Sequence, residues 1–296
     1  MSLPTPQHYT IPNFTFTSTS TPTTIHLSYL DINPTSHKVA LISTHFRSHL
    51  HTTPTYRTSA LKTHRIIVVA LLANSESSSP SNTPSFPTTV SYPDCVRAQH
   101  HLLTHLHIPD LDFLLGFSMA GQCAYHWLLT YPHMVKNAVI ICSSARTSRH
   151  NYQFLEGPKA ALVHSADYHS GAAGKPVNGL RAFGKAYSAW LTSAAWFERE
   201  LYHELGYETL QEWDEDVAGR NYYTWHADDL LCLVGMWQGG DVTRVVGDGA
   251  LSLEEALGRI QARVLLMACE TDQYFTVGAA QREAGCIPEC VFRVIR

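Results

Sequence analysis

Short unbroken apolar runs alternate along this chain with stretches of helical periodicity. The runs at 38–43, 65–71, 112–116, 137–142, 263–268 and 291–295 have the composition of strands buried on both faces. Residues 25–30 (Ile-His-Leu-Ser-Tyr-Leu) alternate instead, as a half-buried strand does. Helical patterns cover 94–106, 122–129, 182–197, 222–237 and 252–260. Strands interleaved with helices predict an α/β domain with a mostly parallel sheet. Residues 1–24 are polar and rich in breakers, which predicts an N-terminal arm more than a core element. The Ser/Pro/Asn-rich stretch from 73 to about 93 is long enough to predict a functional loop. From about 149 to 245 the helical patterns become dense in aromatics and no strand alternation is convincing. That stretch is expected to be a helical lid inserted into a core made of 25–148 and 246–296.

Composition narrows the partners. At 296 residues and 45% hydrophobic, the chain can bury a full core as one large domain, with or without an insert. A net charge of −4 gives no electrostatic footprint for nucleic acid or for an anionic membrane. No run approaches the length of a membrane-spanning helix, and the amino terminus lacks a basic start followed by an apolar stretch. Seven cysteines without a C-x-x-C pair read as reduced thiols, and the expected compartment is the cytoplasm, Arg296 carrying no peroxisomal signal. His100, His101, His105 and His107 cluster on or near one helix, with no carboxylate spacing beside them to make a metal site. They read as surface histidines, Cys286 and Cys290 as plain thiols, and no metal is expected.

The chemistry concentrates at Asp112-Phe113-Leu114-Leu115-Gly116-Phe117-Ser118-Met119-Ala120-Gly121-Gln122. An apolar strand ends at Gly116, and a helical pattern begins just after Ser118. A serine on so sharp a turn has its hydroxyl pushed out at the carboxyl edge of the sheet, the nucleophile elbow of α/β-hydrolases. Small residues must flank it. Gly116 does so on one side, while Ala120 stands where the usual pattern has its second glycine and Gly121 follows directly. Acyl transfer at a serine also needs a base, an acid to orient the base, and two N–H donors for the oxyanion. Asp272, in the loop after the 263–268 strand, stands where this fold places the acid. The Met119 N–H is the expected first oxyanion donor, and Phe46, in the polar loop 44–49, the expected second. No histidine follows Asp272, since all eighteen lie at or before His226. The expectation is therefore a chain that stops about one loop short of its base, or a protein that does not use the standard mechanism.

The elbow and the residues after it (Ala124-Tyr125-His126-Trp127) resemble the homoserine O-acetyltransferase-like branch of the α/β-hydrolases, most closely its fungal proteins. The segments Ser143-Ser144-Ala145-Arg146-Thr147-Ser148, Gly179-Leu180-Arg181-Ala182-Phe183-Gly184 and Thr271-Asp272-Gln273-Tyr274-Phe275 carry the same resemblance, which runs from about His8 to the last residue. It implies an α/β-hydrolase fold and a Ser–Asp–His triad, with Ser118 and Asp272 as the matching positions. It implies either an esterase or acyltransferase of specialised metabolism, including toxin biosynthesis, or a transferase with acetyl-CoA as cosubstrate; no other cofactor is expected. The loop 44–49 lacks the family's glycines and carries Arg47 and Ser48. Gly184 stands where true homoserine enzymes have a carboxylate-binding arginine, which argues against homoserine. A small-molecule acyl substrate is the expected partner, and aromatics such as Trp190, Trp196, Tyr222, Trp225 and Trp237 would suit an apolar acyl group. A non-catalytic relic is the third reading.

Overall fold

The structure, a computed structural model, describes residues 3–169, 174–245 and 251–296. The apolar runs form the centre of one sheet. β3 (Val39–Ser43), β4 (Arg65–Val69), β5 (Leu111–Phe117), β6 (Val135–Ile141), β7 (Arg263–Cys269) and β8 (Cys290–Ile295) pair in parallel. β2 (Thr23–Ile32) joins β4 antiparallel, and β1 (Gln7–Phe14) joins β2 antiparallel at the edge. The order is β1-β2-β4-β3-β5-β6-β7-β8 among the described residues, so the serine-bearing β5 lies between β3 and β6. Ligands of such sheets bind beyond the carboxyl ends of the parallel strands.

β1 corrects the expectation of an arm over 1–24. Ile11 and Phe14 reach the core, and Phe16 beyond the strand is buried as well. Pro12 falls within the register shift between Ile11 and Phe14, on an edge strand, where a missing N–H costs no ladder bond. The Thr-rich composition that reads as loop is also what a half-exposed edge strand tolerates.

Helices α1 (Tyr92–His105) and α2 (Met119–Thr130) pack beside the sheet and against each other. The α1 histidines serve packing: His100 stacks on Tyr131, His105 on Tyr9, and His101 meets Phe14 edge-on. Loop 73–91 is fastened by its own polar groups and by Asp229, whose carboxylate accepts from the Ser81 N–H (2.9 Å) and hydroxyl (2.6 Å).

Between β6 and β7 the described residues hold helices and no strand: α3 (Arg149–Val163), α4 (Val177–Leu191), α5 (Ala194–Glu198), α6 (Leu210–Trp213) and α7 (Ala227–Gln238), with α8 (Leu253–Leu257) leading into β7. Three of the expected helices are shorter than their periodicity suggested, the 252–260 pattern being helical only over Leu253–Leu257. The 182–197 pattern is broken at Thr192, and Ser193 starts α5 by accepting from the Trp196 N–H. The 222–237 pattern is helical only from Ala227, where His226 caps the first turn. α9 (Val277–Cys286) links β7 to β8. Residues 246–250, where the second core segment was expected to begin, lie outside the described residues.

Candidate active site

Ser118 sits between β5 and α2 with φ 55° and ψ −123°, a conformation that costs an L-residue about 1–3 kcal/mol and persists only where its surroundings impose it. The surroundings are backbone. The Ser118 N–H donates to the Ile141 carbonyl (2.9 Å), and its own carbonyl accepts from Gly121 (2.8 Å), Gln122 (3.2 Å) and the Ser143 hydroxyl (2.7 Å). Gly116 and Gly121 are obligatory. A Cβ on Gly116 would lie 2.4 Å from the Ala120 carbonyl oxygen, and one on Gly121 would lie 2.5 Å from Ser143 Cβ. The close approach that the usual second glycine permits is thus made at Gly121, and the Ala120 methyl is accommodated.

Asp272 lies in the turn after β7. Its Oδ1 accepts from the N–H groups of Tyr274 (3.0 Å) and Phe275 (2.8 Å), which fixes the carboxylate. The same turn is tied to α4, since Gln273 Nε2 donates to the carbonyls of Ala189 (3.1 Å) and Thr192. Ser118 and Asp272 line one cavity of about 440 Å³, with Trp190 and Trp196 from α4 and α5 on its far side. Cys142, on a left-handed backbone (φ 46°), and Cys269 line it too. Burial, and after it the Asp272 charge, pushes the Cys142 thiol up to about 12, so it stays protonated beside the carboxylate. Sequence reasoning had no signal for Cys142, whose place follows from the β6–β7 pairing.

The two expected oxyanion donors have their backbone N–H groups unpaired among the described residues. In the loop after β3, the N–H of His45 is taken by Ser48 Oγ (2.7 Å), whereas that of Phe46 is not. The Phe46 ring is buried among Phe183, Tyr187, Tyr222 and Trp237, with centroids 5.7–6.3 Å away. Tyr222 and Trp237 are themselves fully buried, and Trp225 stacks on His49. Of the five aromatics singled out between residues 149 and 245, Trp190 and Trp196 line the cavity.

Among the described residues, no histidine lines this cavity. His45 packs edge-on against Phe117 beside the elbow, its pKa lowered to about 4 by burial and by Arg47. His126, on α2, gives its Nδ1 to the Gln122 carbonyl (2.8 Å) and is lowered to about 4 by burial. Ile295, at the end of β8, lines the cavity. At Gly184 a Cβ would meet the Ala218 carbonyl oxygen at 2.2 Å, so no side chain fits there, least of all an arginine.

The comparisons agree with this fold. The family model described as alpha/beta hydrolase fold matches residues 56–165. The chain is 34% identical over 241 residues to an ethyl acetate hydrolase of Pseudomonas veronii, covering 78% of this chain and 68% of the relative. It is 28% identical over 206 residues to a homoserine O-acetyltransferase of Methanococcoides burtonii, covering 65% of this chain and 41% of the relative. The structure of the acetyl esterase MekB superposes with a TM-score of 0.92 at 29% identity, covering 99% of this chain and 89% of that one. With esterases and homoserine acetyltransferases both among its relatives, this chain belongs to the α/β-hydrolase family.

Proposed function

We propose that the protein transfers acyl groups from small esters to water, with Ser118 as nucleophile, Asp272 as the acid that orients the base, and the N–H groups of Met119 and Phe46 as oxyanion donors. One observation carries this reading: a serine on a strained strand-to-helix turn shares a partly apolar cavity of about 440 Å³ with a carboxylate fixed by two backbone N–H groups. The likeness to an ethyl acetate hydrolase and to an acetyl esterase supports short acyl groups, acetyl first. The proposed base is a histidine outside these 296 residues. An imidazole held in the cavity could bond both Ser118 and Asp272. Trp190 and Trp196, as part of a helical lid, bound the acyl group. The resemblance to fungal proteins of specialised metabolism supports a small ester of such a pathway, toxin biosynthesis included, as the natural substrate. Seven cysteines without a C-x-x-C pair support a cytoplasmic location; no helix of the described residues is long and apolar enough to cross a membrane.

The second reading is acetyl transfer from acetyl-CoA, favoured by the homoserine acetyltransferase relatives. Homoserine itself is disfavoured, because the backbone of 218 closes the place of its arginine at Gly184. The two readings part on one experiment, in which the protein supplied with imidazole is given labelled acetyl-CoA with homoserine or simple alcohols, and separately ethyl acetate. Ser118-dependent hydrolysis of ethyl acetate without labelled transfer product supports the esterase. Transfer from acetyl-CoA outpacing hydrolysis would overturn it.

A further inference from the structure

Behind the Tyr274–Phe275 turn, on the side away from Ser118, lies a second cavity of about 280 Å³. It is enclosed by the segment after β6, the first turn of α3, and helices α8 and α9. A water occupies about 30 Å³ in the liquid, so the space admits a small molecule rather than a single solvent site. Its lining is unfinished in hydrogen-bond terms. Asn151 is 1% exposed, yet neither its Nδ2 nor its Oδ1 has a partner among the described residues, and the buried Ser144 hydroxyl has none. Leaving such groups unpaired costs about 1–3 kcal/mol each, so a partner belongs there.

The charges around the cavity say which kind. Ser148 and Thr276, which cap the N-termini of the fifteen-residue α3 and the ten-residue α9, both line it. Two helix N-termini therefore converge on one space, and each favours negative charge. Arg146 and Arg282 stand at its exposed side, and neither guanidinium is ion-paired among the described residues. Against them stand Glu254, exposed on α8, and Glu283, whose oxygens are occupied by the Ala145 N–H (3.1 Å) and the Tyr125 hydroxyl (2.9 Å). Burial raises Glu283 to about 7, so near neutrality it carries only part of a charge.

We propose that this cavity is a second, anion-binding site that takes a small molecule through its carboxylate or phosphate oxygens, held by the Asn151 amide, the Ser144 hydroxyl and the guanidinium groups of Arg146 and Arg282. The site stands apart from the acyl cavity and does not depend on the reaction assigned there.

Isothermal titration of the chain with sodium phosphate and with sodium acetate, at ionic strength held constant by sodium chloride, tests it. Saturable binding of either oxyanion is expected, at least tenfold weaker in the Arg146→Gln, Arg282→Gln double variant and weaker in Asn151→Ala. Ser118→Ala should bind as the parent does, because that residue lines the other cavity. Preference for phosphate assigns a phosphorylated ligand, and preference for acetate a carboxylic acid. Should Asn151→Ala fail to fold, the exposed arginine positions still decide. Binding no stronger than that of chloride, or unchanged in the double arginine variant, would overturn the proposal.

Discussion

The two walls of the Ser118 cavity are built differently. On the sheet side, position is fixed by backbone: the Ser118 N–H and carbonyl make four bonds to β6, α2 and Ser143, and two N–H groups grip Asp272. On the helical side, position is fixed by side-chain packing. Phe154, Phe183, Tyr187, Tyr222 and Trp237 interlock with Phe46 and Tyr274, and the Gln273 bonds to α4 add a polar tie between that layer and the Asp272 turn. Reacting groups tolerate displacements of well under an ångström, which a strained backbone can guarantee. Substrate space can be reshaped by exchanging a ring, and the rings of α4 and α5 that face it are the partly exposed Trp190 and Trp196.

The comparison is broken most forcefully at Trp237. It is fully buried and touches Phe46, Phe154, Tyr274 and Phe275 at centroid distances of 5.7–5.8 Å, so it joins the helical layer to both the loop after β3 and the Asp272 turn. Trp237→Ala should destabilise by about 3–5 kcal/mol, read from urea unfolding. A loss below about 1 kcal/mol would show that the aromatic layer does not hold the helices down.

A smaller effect sharpens the polar side. Burial lifts Glu283 from 4.5 to about 7, although bonds from Tyr125 and Ala145 oppose the shift. Between these values the unfolded chain has released a proton that the folded chain keeps. Stability therefore falls as pH rises from about 4.5 to 7 and levels off above, by about 3 kcal/mol in all. Glu283→Gln should flatten that slope, as urea midpoints at pH 5 and 7.5 would record. An unchanged slope would mean that other groups set it.

The smallest expected change in stability is at Trp196, a partly exposed ring that lines the cavity. Trp196→Ala should cost about 1 kcal/mol or less and shift ester preference toward longer acyl chains. Equal effects on short and long esters would assign the ring to packing alone.

What the sequence disclosed follows the same division. The parallel strands are legible because strands buried on both faces need unbroken apolar runs, and the elbow because Gly116, Ser118 and Gly121 answer to contacts within a few residues. Asp272 is legible by its distance beyond β7. β1 was hidden because an edge strand can be polar and hold a proline at a bulge. The burial of Tyr222 and Trp237, as against the partial exposure of Trp196, was hidden too: helical periodicity marks an apolar face but not whether a ring or a cavity lies opposite. The second cavity draws on segments more than a hundred residues apart, and nothing local in Asn151 or Arg282 announces their meeting.

The most direct test of acyl transfer at Ser118 is chemical rescue. A serine hydroxyl without a base is a weak nucleophile, a free carboxylate is too acidic to replace the base, and loss of a triad histidine costs about six orders of magnitude in turnover. Hydrolysis of ethyl acetate by this chain would be followed against added imidazole. The account predicts negligible activity without imidazole and a saturable rise with it, abolished by Ser118→Ala and sharply reduced by Asp272→Asn. Full activity without imidazole, or a rise that survives Ser118→Ala, would contradict it.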